Sequence, residues 1–197
     1  MKYFTTLSVI TAAIAALMAF AASASATTVT DSSGKTPTIH AVSEESAVAG
    51  TNQLLIHNPI ANIPCESTFQ GTVPSTSEGG TGLTVSLPVS SLSFSPCSNS
   101  WTPEVLAFGS LEIHGGSGNQ GTLTSTGIKV AFERFKLRCT YETSGTLLGT
   151  VTGGNPATIH LNATLKTNPK ESNFLCANID AKLTGSYKTT GTIDIDQ

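Results

Sequence analysis

Four cysteines, Cys65, Cys97, Cys139 and Cys176, are the residues whose type and spacing speak most directly of chemistry. No C-x-x-C pair brings two thiolates together, so a structural metal site is a poor fit. The alternative is two disulfides, for which three connectivities are open. An internal echo favours two of the pairs. The stretch from Cys139 runs Cys-Thr-Tyr into Gly149-Thr-Val151, alternates, and returns through Asn173-Phe-Leu-Cys176. The stretch from Cys65 runs into Gly71-Thr-Val73, alternates, and returns through Ser93-Phe-Ser-Pro-Cys97. Cys65–Cys97 and Cys139–Cys176 are therefore the expected bridges, closing loops of 97 − 65 = 32 and 176 − 139 = 37 positions.

Other candidate groups are scattered. His40, His57, His114 and His160 show no His-x-His or His-x-x-x-His spacing, so each is expected to be structural or exposed and not a ligand. Glu104, Glu112, Glu133 and Glu142 lie in a strand-rich region, where two could meet across a sheet as the carboxylates of a glycosidase do. Their expected role is that of solvated charges on strand faces. Asp31, Asp194 and Asp196 lack the glycine and terminal glutamate of a calcium loop. No Gly-x-Ser-x-Gly occurs, and the glycine-rich stretch 114–121 lacks the Lys-Ser/Thr and following helix of a phosphate loop. Asn162-Ala-Thr164 has the form of a glycosylation sequon. Trp101, four residues after Cys97, is expected to pack over the Cys65–Cys97 sulfurs. No catalytic, cofactor-binding or metal-binding residue is assigned, and no cofactor.

Lys2, the apolar run from Leu7 to Phe20 and Ala24-Ser-Ala26 have the layout of a secretory signal peptide, 1–26, cut after Ala26. That leaves 197 − 26 = 171 residues, the size of one domain. No other apolar run nears the roughly 20 residues of a membrane-spanning helix. Loss of Lys2 leaves 9 basic and 13 acidic residues, a net −4, which argues against nucleic acid as a partner. A secreted, extracellular or cell-envelope location is expected, where disulfides persist.

The residues to be positioned sit in short alternating stretches. Segment 27–45 reads as a polar N-terminal extension with one edge strand, and 46–197 as a single β-sandwich domain. Asn52 to Ile56 is compact and apolar, strand or helical turn. A turn is expected over 77–82, then a strand from Leu83 to Leu87. Val105 to Ile113 reads as one strand, followed by a hairpin tip over 114–121. Ile128, Val130 and Phe132 share a face; Phe135, Leu137, Cys139 and Tyr141 continue it after a slip of one residue at Glu133-Arg134. That slip predicts a β-bulge or bend in one long strand. Two strands follow on either side of Gly153 to Pro156, then a polar loop over 167–172. A final hairpin is expected about Gly185 or Gly191. No stretch holds an amphipathic 3.6-residue period for three turns, so the expected fold is an antiparallel β-sandwich or flattened barrel with two disulfides.

Trp101, Cys139-x-Tyr141, Gly149-Thr150, Phe174-Leu-Cys176 and Leu183-x-Gly185-x-Tyr187 together resemble a group of small secreted bacterial β proteins similar to the PraB-type activators of alkane oxidation. The resemblance runs from Cys65 to the C-terminus and implies an exported, non-catalytic, surface-associated role, with no catalytic residues to carry over. The expected function is a secreted structural or adhesion-type β protein. Its partners would be further copies of itself, through edge strands or segment 27–45, or a cell surface. The alternatives are a binding module for a hydrophobic ligand or surface, and an extracellular enzyme with a carboxylate site.

Overall fold

A computed structural model describes residues 26–43, 54–74 and 84–196. Residues 1–25 of the signal segment, the turn expected over 77–82 and Leu83 lie outside the described residues. The described chain is all-β: β1 Thr28–Thr30, β2 Thr38–Ser43, β3 Leu54–His57, β4 Asn62–Thr72, β5 Val85–Cys97, β6 Thr102–Ala107, β7 Ser110–Gly115, β8 Gln120–Thr126, β9 Lys129–Arg134, β10 Leu137–Glu142, β11 Thr146–Thr152, β12 Thr158–Thr167, β13 Ala181–Thr189 and β14 Asp194–Asp196. A short 3₁₀ turn, Ser98–Ser100, separates β5 from β6.

Eight staves close into an antiparallel barrel in the order β4, β5, β7, β8, β11, β12, β13 and a composite of β2 and β3 that returns to β4. The composite stave follows from register. Val42 pairs with Thr68 and Leu54 with Cys65 on β4, while Ser43 pairs with Tyr187 and Leu55 with Thr184 on β13. The chain thus leaves the stave after Ser43 and rejoins it at Leu54. Closure satisfies the backbone donors and acceptors that an open sheet would leave at its edges.

Alternation drives this arrangement. Along β12, Ile159, Leu161, Ala163 and Leu165 are buried and His160, Asn162, Thr164 and Lys166 are exposed. Burying each leucine or isoleucine is worth about 1.5–3 kcal/mol. Apolar side chains point in and polar ones out, the reverse of a transmembrane barrel. Among the described residues no helix is long and apolar enough to cross a membrane.

Segment 27–45, read from sequence as an extension, contributes β1 and β2, with Val29, Ile39 and Ala41 buried. β1 pairs with β14, setting Val29 opposite Ile195. This ribbon is tied to the β7–β8 end of the barrel: the Gly115 N–H donates to Thr27 Oγ1 (3.1 Å) and the Ile195 N–H to Asn119 Oδ1 (2.7 Å). The expected C-terminal hairpin is not formed. β13 runs unbroken through Gly185, and the last strand pairs with β1 instead.

A second, smaller sheet, β6–β9–β10, hangs from the barrel where Tyr141 and Glu142 pair with Thr167 and Lys166 of β12. Its inner face packs on the barrel through Phe132, whose ring meets Phe94 edge-on at 5.7 Å. The single strand expected over 105–113 is two strands in different sheets. The break is at Gly109, where a Cβ would lie 2.4 Å from the backbone of Gly127 and Ile128. Both expected disulfides are present: Cys65–Cys97 joins β4 to β5, and Cys139–Cys176 joins β10 to the 168–180 loop.

Candidate contact surface at the end of the second sheet

The slip at Glu133-Arg134 is not a bulge. β9 and β10 form a hairpin in which Arg134 pairs with Leu137 across a two-residue turn, Phe135-Lys136. Both turn residues have positive φ, 49° and 65°. That is the left-handed turn whose twist matches paired strands, and it ordinarily favours Asn-Gly. Cys139 lies opposite Phe132 and Tyr141 opposite Val130, so their shared inward face survives. Phe135, expected inward, is instead carried to the tip and is 83% exposed.

Beside this tip the 168–180 loop is held against β10. The Asn173 N–H donates to the Arg138 carbonyl (2.8 Å), and the Arg138 N–H donates back to Asn173 Oδ1. Thr140 donates its N–H to Ser172 Oγ (2.9 Å) and its hydroxyl to the Glu171 carbonyl (3.0 Å). With Cys176 bridged and buried, the two residues before it are forced outward. Phe174 is 84% exposed and Leu175 52%. Two phenyl rings and a leucine thus stand in water at one end of the small sheet.

Charges surround them. Arg138 reaches Glu104 at 2.7 Å and Glu133 at 3.4 Å, and the Glu104 carboxylate, its strongest partner, raises the guanidinium's pKa. The Arg134 guanidinium lies 4.8 Å from the centre of the Phe135 ring, a cation–π contact. A shallow groove of about 490 Å³ runs between these groups and Ser100. Lys129 bonds Glu171 at 2.8 Å, which raises the lysine's pKa.

Of the four glutamates, only Glu104 and Glu133 come together, on Arg138. Glu112 accepts from Thr124 (3.4 Å) and Glu142 from Asn168 (3.0 Å), elsewhere in the fold.

The histidines stay apart. His57 bonds Asn62, His160 bonds Ser186 (2.8 Å) and His114 bonds Thr124 (3.4 Å), while His40 lies in β2. Asp31 accepts from the Ser33 hydroxyl and from the N–H groups of Ser33 and Lys35, a closed turn that lowers its pKa. Among the described residues no group of three His, Cys, Asp or Glu side chains could hold a metal ion. Trp101 is buried, and its Nε1 has no hydrogen-bond partner among the described residues.

The fold and this surface define an all-β protein, a closed antiparallel barrel with an appended sheet presenting aromatic side chains to solvent. No protein-family model, curated protein or solved structure matches the chain.

Proposed function

We propose that the protein is an exported, non-catalytic module that works by contact, laying Phe135, Phe174 and Leu175 against an apolar cell-surface or matrix material. The observation that carries this reading is Phe135. A bulky side chain at positive φ costs about 1–3 kcal/mol of backbone strain, and its ring is left in water besides. The positive φ serves the tight hairpin, but a bulky residue there with its ring in water does not, so the ring's use lies in what it touches. A signal peptide over 1–26 delivers the chain, and the two disulfides are compatible with an oxidising destination. The likeness to PraB-type proteins agrees with a surface-associated role.

The test is adsorption of the mature chain to hexadecane droplets. The triple variant F135S/F174S/L175S is expected to lose at least about tenfold in affinity, about 1.4 kcal/mol, with an unchanged circular dichroism spectrum. Equal adsorption of the variant and the parent protein overturns the reading.

A second reading, self-association, rests on β6, the outer strand of the small sheet, which among the described residues has β9 as its only strand neighbour. Sedimentation separates the two. A dimer that Val105→Pro dissolves supports edge pairing, whereas a monomer leaves surface contact alone.

A further inference from the structure

The barrel is not packed solid. Among its inward side chains lies a cavity of about 80 Å³, walled by Phe69, Leu111, Leu123, Leu148, Leu161 and Leu183, one from each of six different staves. An eight-stranded barrel is just wide enough either to fill itself with side chains or to hold one small ligand. Leu148 reaches the cavity because the β11 register shifts between Leu147 and Gly149, turning Leu147 out to 58% exposure and Leu148 in.

The polar groups on this wall are already satisfied. The Tyr187 hydroxyl donates to Ser67 Oγ (2.7 Å), Asn58 Nδ2 donates to the Tyr141 hydroxyl (2.6 Å), and Ser125 and Thr143 share a bond (2.9 Å). Glu142 accepts from Asn168. A water molecule needs two to four polar partners to be held in such a space. A ligand carrying an amide or hydroxyl would lose its hydration and meet a wall that is mostly apolar, its few polar groups already engaged, at a cost of about 1–3 kcal/mol per unpaired group. The space selects against polarity.

Its size selects against bulk. A cavity of about 150 Å³ takes benzene, and a group the size of water occupies about 30 Å³. The space here therefore suits two or three carbon-sized groups. The wall residues that keep some solvent contact, Leu92, Phe94, Ile128 and Glu142, lie where β5 faces the start of β9 and the end of β10.

We infer that the barrel holds a binding site for a short unfunctionalised hydrocarbon segment, entering between β5 and the β9–β10 hairpin. The segment is either a small free alkane or the methyl end of a longer acyl chain. The inference stands independently of the contact surface, which lies at the other end of the hairpin.

Leucine-methyl NMR of the disulfide-bonded mature chain tests it, with propane and sodium decanoate as separate probes. Saturable shifts of the Leu123, Leu148 and Leu161 methyls with propane alone identify a free-alkane site. The same shifts with both probes identify a site for chain ends as well. Shifts with decanoate alone overturn the inference, because binding would then depend on the carboxylate. No saturable shift with either probe overturns it too. Leu123→Phe, which narrows the space, is expected to weaken propane binding at least about tenfold; binding that survives in the folded variant counts against the site. Should that variant not fold, Leu148→Ala enlarges the space and is expected to admit benzene. Benzene binding no better than that of the parent protein is then the overturning result.

Discussion

The Tyr187 hydroxyl donates a 2.7 Å hydrogen bond to Ser67 Oγ, joining β13 to β4 across the composite stave. The same ring meets Phe69 edge-on at 5.2 Å. One side chain thus carries both a polar and an aromatic tie across the barrel interior.

Tyr187→Phe removes the donor and leaves the buried Ser67 hydroxyl without it. A loss of about 1–2 kcal/mol is expected in urea unfolding. Burial holds the Tyr187 phenol at a pKa of about 12, above its ordinary value near 10. A folded pKa above the unfolded one means the stabilisation is complete below about pH 10 and is lost as pH rises through about 12. Stability is expected to fall across that window in the parent protein and less in the phenylalanine variant. Denaturant midpoints read at intervals up to pH 12 check the difference.

Peptide mapping without reductant is expected to recover Cys65 joined to Cys97 and Cys139 joined to Cys176. Loops of 32 and 37 positions correspond to about 3.5–4 kcal/mol each on the chain-entropy model. Replacing Cys139 and Cys176 with alanine also frees the loop that presents Phe174. Thermal unfolding and droplet adsorption are therefore expected to fall together for that variant. Replacing Cys65 and Cys97 is expected to lower stability with less effect on adsorption.

Replacing Phe135-Lys136 with Asn-Gly suits the left-handed turn better. A gain of about 1 kcal/mol is expected in denaturant unfolding, with adsorption reduced. Stability and surface binding moving in opposite directions would distinguish a retained contact residue from a structural one.

Gly149→Ala is expected to cost about 2 kcal/mol or more. A Cβ there would lie 1.9 Å from the His160 carbonyl oxygen on the neighbouring strand. A midpoint unchanged within error would show that β11 and β12 can separate at that point.

Much of the barrel was legible because buried and exposed residues alternate with little interruption, as on β12. The disulfides were legible because the two cysteine units repeat the same order of features. The tip was not. A bulge and a two-residue turn both shift the inward positions between Phe132 and Cys139 by one, so periodicity alone cannot separate them. Phe-Lys lacks the Asn-Gly signal that would have decided it. Segment 27–45 looked like a tail because Ile39 and Ala41 are too few to announce a stave whose other half lies beyond residue 53. Ring closure depends on pairings distant in sequence, such as Ala41 with Phe69 and with Thr189, which local pattern does not encode. The interior cavity was invisible for a related reason: apolar residues facing a void and apolar residues facing one another have the same spelling.

The interrupted stave has a consequence for how such a chain can diversify. Because the polypeptide exits and re-enters the ring at one place, the number of residues between Ser43 and Leu54 does not alter the circumference or tilt of the staves. Each doubling of that excursion costs only about 0.6 kcal/mol. A lineage could graft an appendage there, or a laboratory an epitope, with the scaffold's geometry left as it is.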